Sequence, residues 1–111
     1  MDVRLEVIGT TLVVKIDGEI DHHNTAKIKA EIEREMNLNN IVNLILDFDG
    51  VTFMDSSGIG MIMGRYKKVQ KLGGRVIISS ATPQIKRIIE MAGLHGIMQV
   101  TPDVKRALKK L

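Results

Sequence analysis

Hydrophobic and polar residues alternate along the first sixteen positions of the chain, in two short runs. The alternating apolar positions predict two β-strands; they are Val3, Leu5, Val7, Leu12, Val14 and Ile16. Gly9-Thr10 lies between the runs and favours a tight turn. Asp17-Gly18 is a second turn signal, after which residues 19–23 follow as a polar loop or strand end. The chain is therefore predicted to begin with an antiparallel hairpin.

The next segment changes to helical spacing. Ile28, Ile32 and Met36 recur four residues apart among acids and lysines, which predicts an amphipathic helix over residues 25–37. Asn24 suits the N-cap because its amide oxygen can accept hydrogen bonds from the first turn.

Two short runs rich in β-branched residues predict buried strands at residues 41–46 and 75–79, and a further short strand is predicted around residues 98–100. Asp49-Gly50 predicts a turn after the first of these strands, followed by an apolar connection over residues 51–54.

Three further helical stripes separate and follow these strands. Their apolar positions are Ile59, Ile62, Met63, Tyr66 and Val69; Ile85, Ile88, Ile89 and Ala92; and Val104, Ala107, Leu108 and Leu111. Gly73 is expected to end the first stripe in the left-handed conformation. Thr82-Pro83 and Thr101-Pro102 are cap–proline pairs that start the other two.

The predicted order is ββαβαβαβα. Strand–helix–strand units require right-handed crossovers and parallel pairing. We therefore expect an α/β fold, with a small, mixed, mostly parallel sheet, an N-terminal hairpin and four helices, in one domain over residues 1–111. Among the methionines, we expect Met61 to be exposed and four others to fill the core, namely Met36, Met54, Met63 and Met91.

Composition narrows the possible functions. With 44% hydrophobic and 26% charged residues, the chain is typical of a globular protein with one core. The absence of cysteine excludes disulfides, thiolate zinc sites and a cysteine nucleophile. No apolar run approaches the ~20 residues that span a bilayer, and the first residues lack a signal-peptide pattern. We expect a cytoplasmic monomer without a membrane role.

The net charge of +3 does not predict nucleic-acid binding. Most lysines and arginines neighbour acids, and only a C-terminal group clusters: Lys105, Arg106, Lys109 and Lys110. Aromatic residues amount to 3%, too few for a base-stacking platform. A solvated basic face explains the charge better.

Most candidate catalytic motifs are incomplete. Asp47-Phe48-Asp49-Gly50 resembles the DxDG motif of haloacid-dehalogenase-type phosphatases, but it follows a complete β–β–α unit and no later acidic pair supports it. A strand end followed by a turn explains it as well. His22 and His23 are adjacent, and on a regular strand they would point to opposite faces, so no metal site is expected. The chain contains no Walker A loop and no nucleophile elbow.

One segment calls for a more specific explanation. Asp55, Ser56 and Ser57 precede a helix whose first turn contains Gly58 and Gly60. One of the serines could be the N-cap, which contributes about 1 kcal/mol. Each glycine costs a helix about 1 kcal/mol relative to alanine. Close approach of another surface would explain the glycines, and the positive helix end would tolerate a phosphoryl group on serine. Both the capping and the docking interpretation fit these residues.

Two segments together resemble a known family. Residues 18–23 (Gly-Glu-Ile-Asp-His-His) are similar to the GELDHH segment, and residues 53–60 (Phe-Met-Asp-Ser-Ser-Gly-Ile-Gly) to the FMDSSGLG signature, of STAS-domain anti-sigma factor antagonists, the SpoIIAA-like group. Residues 64–67, 71–74 and 91–94 continue the likeness, which covers essentially the whole chain.

The resemblance implies a regulatory role without catalysis or cofactor. An anti-sigma factor with serine kinase activity would phosphorylate Ser56, the first serine after the aspartate. The unphosphorylated protein would bind the anti-sigma factor and release the sigma factor, and a PP2C-type phosphatase would reverse the modification. The residues expected at the partner surface are Asp21, His22, His23, Asp55, Ser56, Ser57, Gly58 and Gly60.

Two other functions remain as alternatives. The domain could be a phosphorylation-independent STAS scaffold that assembles in a stress-signalling complex. It could also bind or hydrolyse a nucleotide weakly, although the missing phosphate loop argues against this.

Overall fold

The computed structural model describes residues 1–111. Its elements are β1 (Asp2–Ile8), β2 (Thr11–Ile20), α1 (Thr25–Asn39), β3 (Asn43–Met54), α2 (Ser56–Lys71), β4 (Val76–Ser79), α3 (Pro83–Met91), β5 (Gln99–Thr101) and α4 (Val104–Lys109), with a short 3-10 turn at Leu94–Gly96. This confirms the predicted order ββαβαβαβα. No helix is long and apolar enough to cross a bilayer.

The five strands form one sheet in the order β1-β2-β3-β4-β5. β1 pairs with β2 in an antiparallel hairpin, and the other neighbours pair in parallel. Gly9, at the hairpin turn, has a φ of +61°, which favours glycine. The mixed, mostly parallel sheet agrees with the prediction.

Helices cover both faces of the sheet. Alternate residues of the strands, such as Leu12, Leu44 and Ile78, pack with buried residues of α1, α2 and α3 in the larger core. The residues between them, Val13, Ile45 and Ile77, form a smaller core with α4 that also contains Ala107. Burial on both faces explains why the central strands are almost continuously apolar.

The predicted turns at Asp17-Gly18 and Asp49-Gly50 are wrong, because both strands continue through them. β2 reaches Ile20 and β3 reaches Met54, with shifts of register after Lys15 and after Gly18. Gly50 lies against Asp17, where an added Cβ would come within 1.7 Å of the Asp17 Oδ1 atom. Gly18 has a φ of +113°. The two glycines therefore allow the irregular pairing of β2 with β3.

Three predicted helix ends also differ. α1 extends to Asn39, and Asn24 precedes it without a side-chain cap, because its Nδ2 donates to the Glu19 carbonyl at 2.9 Å. Thr101 is buried in β5, and Asp103 caps α4 by accepting from the Arg106 amide. Thr82 and Gly73 occupy their predicted roles at the ends of α3 and α2.

Two methionines exchange their predicted environments. Met61 is only 6% exposed because α2 packs against α1 as well as against the sheet, which widens its buried face. Met91 is 82% exposed at the last residue of α3. Met36 and Met54 are buried as expected, and Met63 is partly buried against the core.

Candidate partner-binding site

The two segments that stand out in the sequence meet at one end of the sheet. β2 and β3 are parallel neighbours, and their last residues, Ile20 and Met54, are paired. The Asp55 amide then donates to the Ile20 carbonyl at 3.2 Å. The loop that leads into α1 and the start of α2 therefore leave the sheet side by side.

Asp55 joins these two segments. Its Oδ1 atom accepts hydrogen bonds from the Ser57 and Gly58 amides at 2.9 and 3.3 Å, which caps α2. Its Oδ2 atom accepts from the His22 amide at 3.3 Å. The idea that Ser56 or Ser57 is the N-cap is therefore wrong, because a carboxylate already holds the free amides.

Asp21 organises the loop in the same way. Its Oδ1 atom accepts from the His23 and Asn24 amides at 3.0 and 3.1 Å, and its carbonyl accepts from the Thr25 amide at 3.0 Å. An aspartate that bonds the backbone two and three residues ahead stabilises a tight turn. The turn leads directly into α1, which begins at Thr25.

The two histidines lie together on the surface. Their side chains are 68% and 75% exposed, and the ring centroids are 3.9 Å apart. Each Nδ1 atom lies 3.9 Å from a carboxylate, His22 from Asp55 and His23 from Asp21. The alternation of faces on a regular strand does not apply to His22 and His23, because they lie in a turn. No group of three or more potential ligands that could hold a metal is present.

The Asp55 carboxylate is held in its charged form. Partial burial acts to raise its pKa, but the amide hydrogen bonds from Gly58, Ser57 and His22, together with the His22 imidazole, outweigh burial and lower the pKa below its ordinary value of 3.8. At neutral pH, Asp55 therefore contributes a full negative charge beside the start of α2.

The serines and glycines occupy different positions on α2. Ser56 is its first residue and is exposed, whereas Ser57 is partly buried. Gly60 is exposed, and a Cβ there would meet nothing within 4 Å. Gly58 is buried, and a Cβ there would lie 2.5 Å from Met54 Cγ and 2.9 Å from the Ile20 carbonyl oxygen. The surface that approaches Gly58 is therefore the chain's own sheet.

A shallow groove of about 280 Å³ runs between α1 and α2 beside these residues. Ser57, Gly60 and Gly64 line it from α2, and Thr25 and Lys29 line it from α1. The missing side chains at the two glycines leave the backbone of α2 accessible here. The groove reaches Ser57, the residue directly after the exposed Ser56.

Sequence reasoning missed Arg65, which ties α1 to α2 next to the groove. Arg65 is 6% exposed and its Nη2 atom lies 3.0 Å from Glu33 Oε1; Lys68 hydrogen-bonds the other oxygen of Glu33. The spacing of Arg65 could have predicted its burial, because it lies four residues after Met61 and four before Val69, on the buried face of α2.

The Asp47–Asp49 pair lies apart from this site. Both residues belong to β3, and Lys15 Nζ lies 3.9 Å from the Asp47 carboxylate and 4.0 Å from that of Asp49. The ammonium occupies the space between the two acids. The strand end and turn expected here are wrong, because β3 continues to Met54.

Comparisons with known proteins identify the family. The model of the STAS domain matches residues 2–107. The chain therefore belongs to the STAS domain family. The anti-sigma F factor antagonist of Paenibacillus polymyxa is 30% identical over 111 residues, which cover 100% of this chain and 95% of that relative.

Solved structures agree with this assignment. The unphosphorylated form of the anti-sigma factor antagonist SpoIIAA is 27% identical, with a TM-score of 0.76 and coverage of 98% of this chain and 96% of that one. The phosphorylated form of SpoIIAA, described as a Bacillus cell fate determinant, is 28% identical, with a TM-score of 0.77 and coverage of 99% and 100%.

Proposed function

We propose that this protein is an anti-sigma factor antagonist whose binding to an anti-sigma factor with serine kinase activity is switched off by phosphorylation of Ser56. The carrying observation is the exposed Ser56 at the first residue of α2, beside an aspartate that already caps the helix. The names of the relatives and the two forms of SpoIIAA support the class of function.

Ser56 has the accessibility that a kinase substrate needs. Because Asp55 satisfies the Ser57 and Gly58 amides, the Ser56 hydroxyl is not required for the cap. Phosphorylation there would change the surface charge without removing a cap. The fold would therefore persist in both states, and the partner would discriminate between them.

The surface around Ser56 fits a partner that approaches closely. His22 and His23 are exposed in the turn that Asp55 joins to α2, and Gly60 presents uncovered backbone near the start of α2. Imidazoles supply hydrogen-bonding groups, and a glycine admits a partner's backbone. Gly58 contributes by allowing α2 to lie against Ile20 and Met54, so its role at the site is indirect.

Charge explains how a phosphate would end binding. A phosphoserine adds about −1.5 to −2 charges. Against an anionic group of the partner ~6 Å away, at an effective dielectric constant of ~20, the repulsion is roughly 3–6 kcal/mol. This corresponds to about two to four decades in affinity. The positive end of α2 offsets only about 0.3–1 kcal/mol. Asp55, charged at neutral pH, adds to the negative potential.

One further partner follows from this proposal. The anti-sigma factor itself phosphorylates Ser56 while it is bound, and a PP2C-type phosphatase restores the hydroxyl. The chain itself acts as substrate and binding partner, with no catalytic step of its own.

Phosphosite mapping tests this proposal. The protein is incubated with ATP and the anti-sigma factor of the same organism, then analysed by mass spectrometry, with Ser56→Ala and Ser57→Ala as matched variants. We expect one phosphate on the wild type and on Ser57→Ala, and none on Ser56→Ala. Phosphate on Ser57 would contradict the assignment, and no phosphate on any variant would favour a phosphorylation-independent scaffold.

A further inference from the structure

A second concave surface lies at the far edge of the sheet. β4 begins at Val76, one residue before its first pair with β5, Ile77 with Gln99. Since β5 has only three residues, the start of β4 has no neighbouring strand on that side. The result is an open groove of about 720 Å³, within the range of small-molecule sites.

Apolar residues make up about half of the lining of this groove. Tyr66 and Val69 of α2 line one side, and Ile97, Met98 and Val100 line the other. Ile97 is 44% exposed, and Tyr66 and Val100 are partly exposed, so these three residues present the accessible apolar surface of the groove. An apolar body bound here would cover surface that water now contacts, which is favourable by about 25 cal/mol per Å².

The groove is lined by basic side chains and by no acidic ones. Arg75, His95 and Lys110 line it, and no aspartate or glutamate does. The Arg75 Nη1 atom donates to the Lys110 carbonyl at 3.1 Å, which orients the guanidinium at the groove while the side chain stays exposed. A guanidinium so placed retains donors for a carboxylate or phosphate. The lining therefore complements a negative charge.

From this combination, we propose that the groove binds a small organic anion with an apolar body, such as a medium-chain carboxylate. The apolar part lies against Tyr66, Ile97 and Val100, and the anionic end meets Arg75 and Lys110. The groove uses the second half of α2 and the amino end of β4, whereas the Ser56 site uses the first turn of α2. The proposal is therefore independent of the phosphorylation switch.

Amide chemical shifts in NMR spectra of the full chain provide the test. The probes are decanoate, decyltrimethylammonium with a similar apolar body and opposite charge, and acetate with the charge alone, all below micelle formation. We expect saturable shifts with decanoate at the groove residues, such as Ile97 and Val100, and much weaker responses to the other two probes. Equal responses to the two amphiphiles, shifts elsewhere, or none would overturn the proposal.

Charge variants provide the control. Arg75→Gln is expected to raise the dissociation constant for decanoate about three- to ten-fold, because it removes a charge-assisted hydrogen bond. Arg34→Gln changes the charge by the same amount at an exposed residue of α1 outside the groove. This variant is expected to leave the dissociation constant for decanoate unaltered. Both positions are exposed, so neither variant threatens the fold. Equal effects of the two variants would show that net charge alone attracts the probe.

Discussion

The main-chain amide of His22 donates to the Asp55 carboxylate at 3.3 Å across a separation of 33 residues. The other oxygen of that carboxylate caps α2 through the Ser57 amide. A single side chain thus holds the histidine turn and the start of α2 as one unit. This bond explains why two segments far apart in sequence present a common surface.

Removing this carboxylate is expected to weaken both stability and recognition. Asp55→Ala leaves the Ser57, Gly58 and His22 amides without their acceptor, so the melting temperature should fall by several degrees and the affinity for the anti-sigma factor should drop. Thermal unfolding and calorimetric titration measure the two effects. Asp103→Ala is the control, since it removes the cap of α4 away from the site. Equal loss of partner affinity in both variants would contradict a local role for Asp55.

Glu33 predicts a pH dependence of stability. Burial acts to raise its pKa, but the hydrogen bond from Lys68 and the charges of Arg65 and Lys68 outweigh it and lower the pKa below 4.5. A lowered folded-state pKa means that this contribution to the free energy of unfolding is fully present above pH 4.5 and is lost as the pH falls through the folded-state value.

Urea unfolding at a series of pH values checks this prediction. Wild type should be more stable than Glu33→Gln at neutral pH, and the difference should shrink on acidification below pH 4.5. Glu90→Gln, at an exposed residue of α3, is the control. A difference that stays constant with pH would contradict the assignment of the effect to the Glu33 charge.

Gly58 and Gly60 are expected to respond oppositely to alanine. Gly58→Ala forces a Cβ against Met54 and the Ile20 carbonyl, so it should destabilise the fold by about 1–3 kcal/mol. Gly60→Ala meets open space and should stabilise α2 by up to about 1 kcal/mol. At the same time Gly60→Ala, and more strongly Gly60→Leu, should lower partner affinity. Chemical denaturation and titration separate the two roles, and unchanged affinity in Gly60→Leu would place Gly60 outside the interface.

Met61 and Met91 provide a test of the packing. Met61→Ala removes a buried side chain between α2 and its neighbours and should cost about 2–5 kcal/mol. Met91→Ala changes an exposed residue and should stay within about 0.5 kcal/mol of wild type. Urea denaturation of both variants measures the contrast. Similar losses in the two would contradict the environments described above.

The order of elements was predictable because burial on two faces makes the central strands apolar and gives the helices clear stripes. The ends of β2 and β3 were not predictable in the same way. Asp17-Gly18 and Asp49-Gly50 have turn composition, yet Gly50 accommodates the Asp17 side chain across the strand pair. Only the pairing of two distant segments shows this. Met61 was misplaced for a similar reason, since the position of α1 decides how wide the buried face of α2 is.

The motifs supply the candidate site residues, but not the structural role of each one. Serine is a good N-cap, so Ser56 and Ser57 were reasonable candidates. The position of Asp55, directly after β3 and next to Ile20, decides in favour of the carboxylate. Likewise, sequence alone assigns Gly58 and Gly60 the same loss of helix stability. Only the packing of Gly58 on Met54 shows that the two glycines have different roles.

The most direct test of the switch is the affinity of the anti-sigma factor for wild type, Ser56→Asn and Ser56→Asp, measured by calorimetric titration. Asparagine matches aspartate in size without its charge. We expect Ser56→Asn to stay close to wild type and Ser56→Asp to bind at least about ten-fold more weakly, since one added charge acts across a close interface. Equal affinities for Ser56→Asp and Ser56→Asn would contradict an electrostatic switch at Ser56.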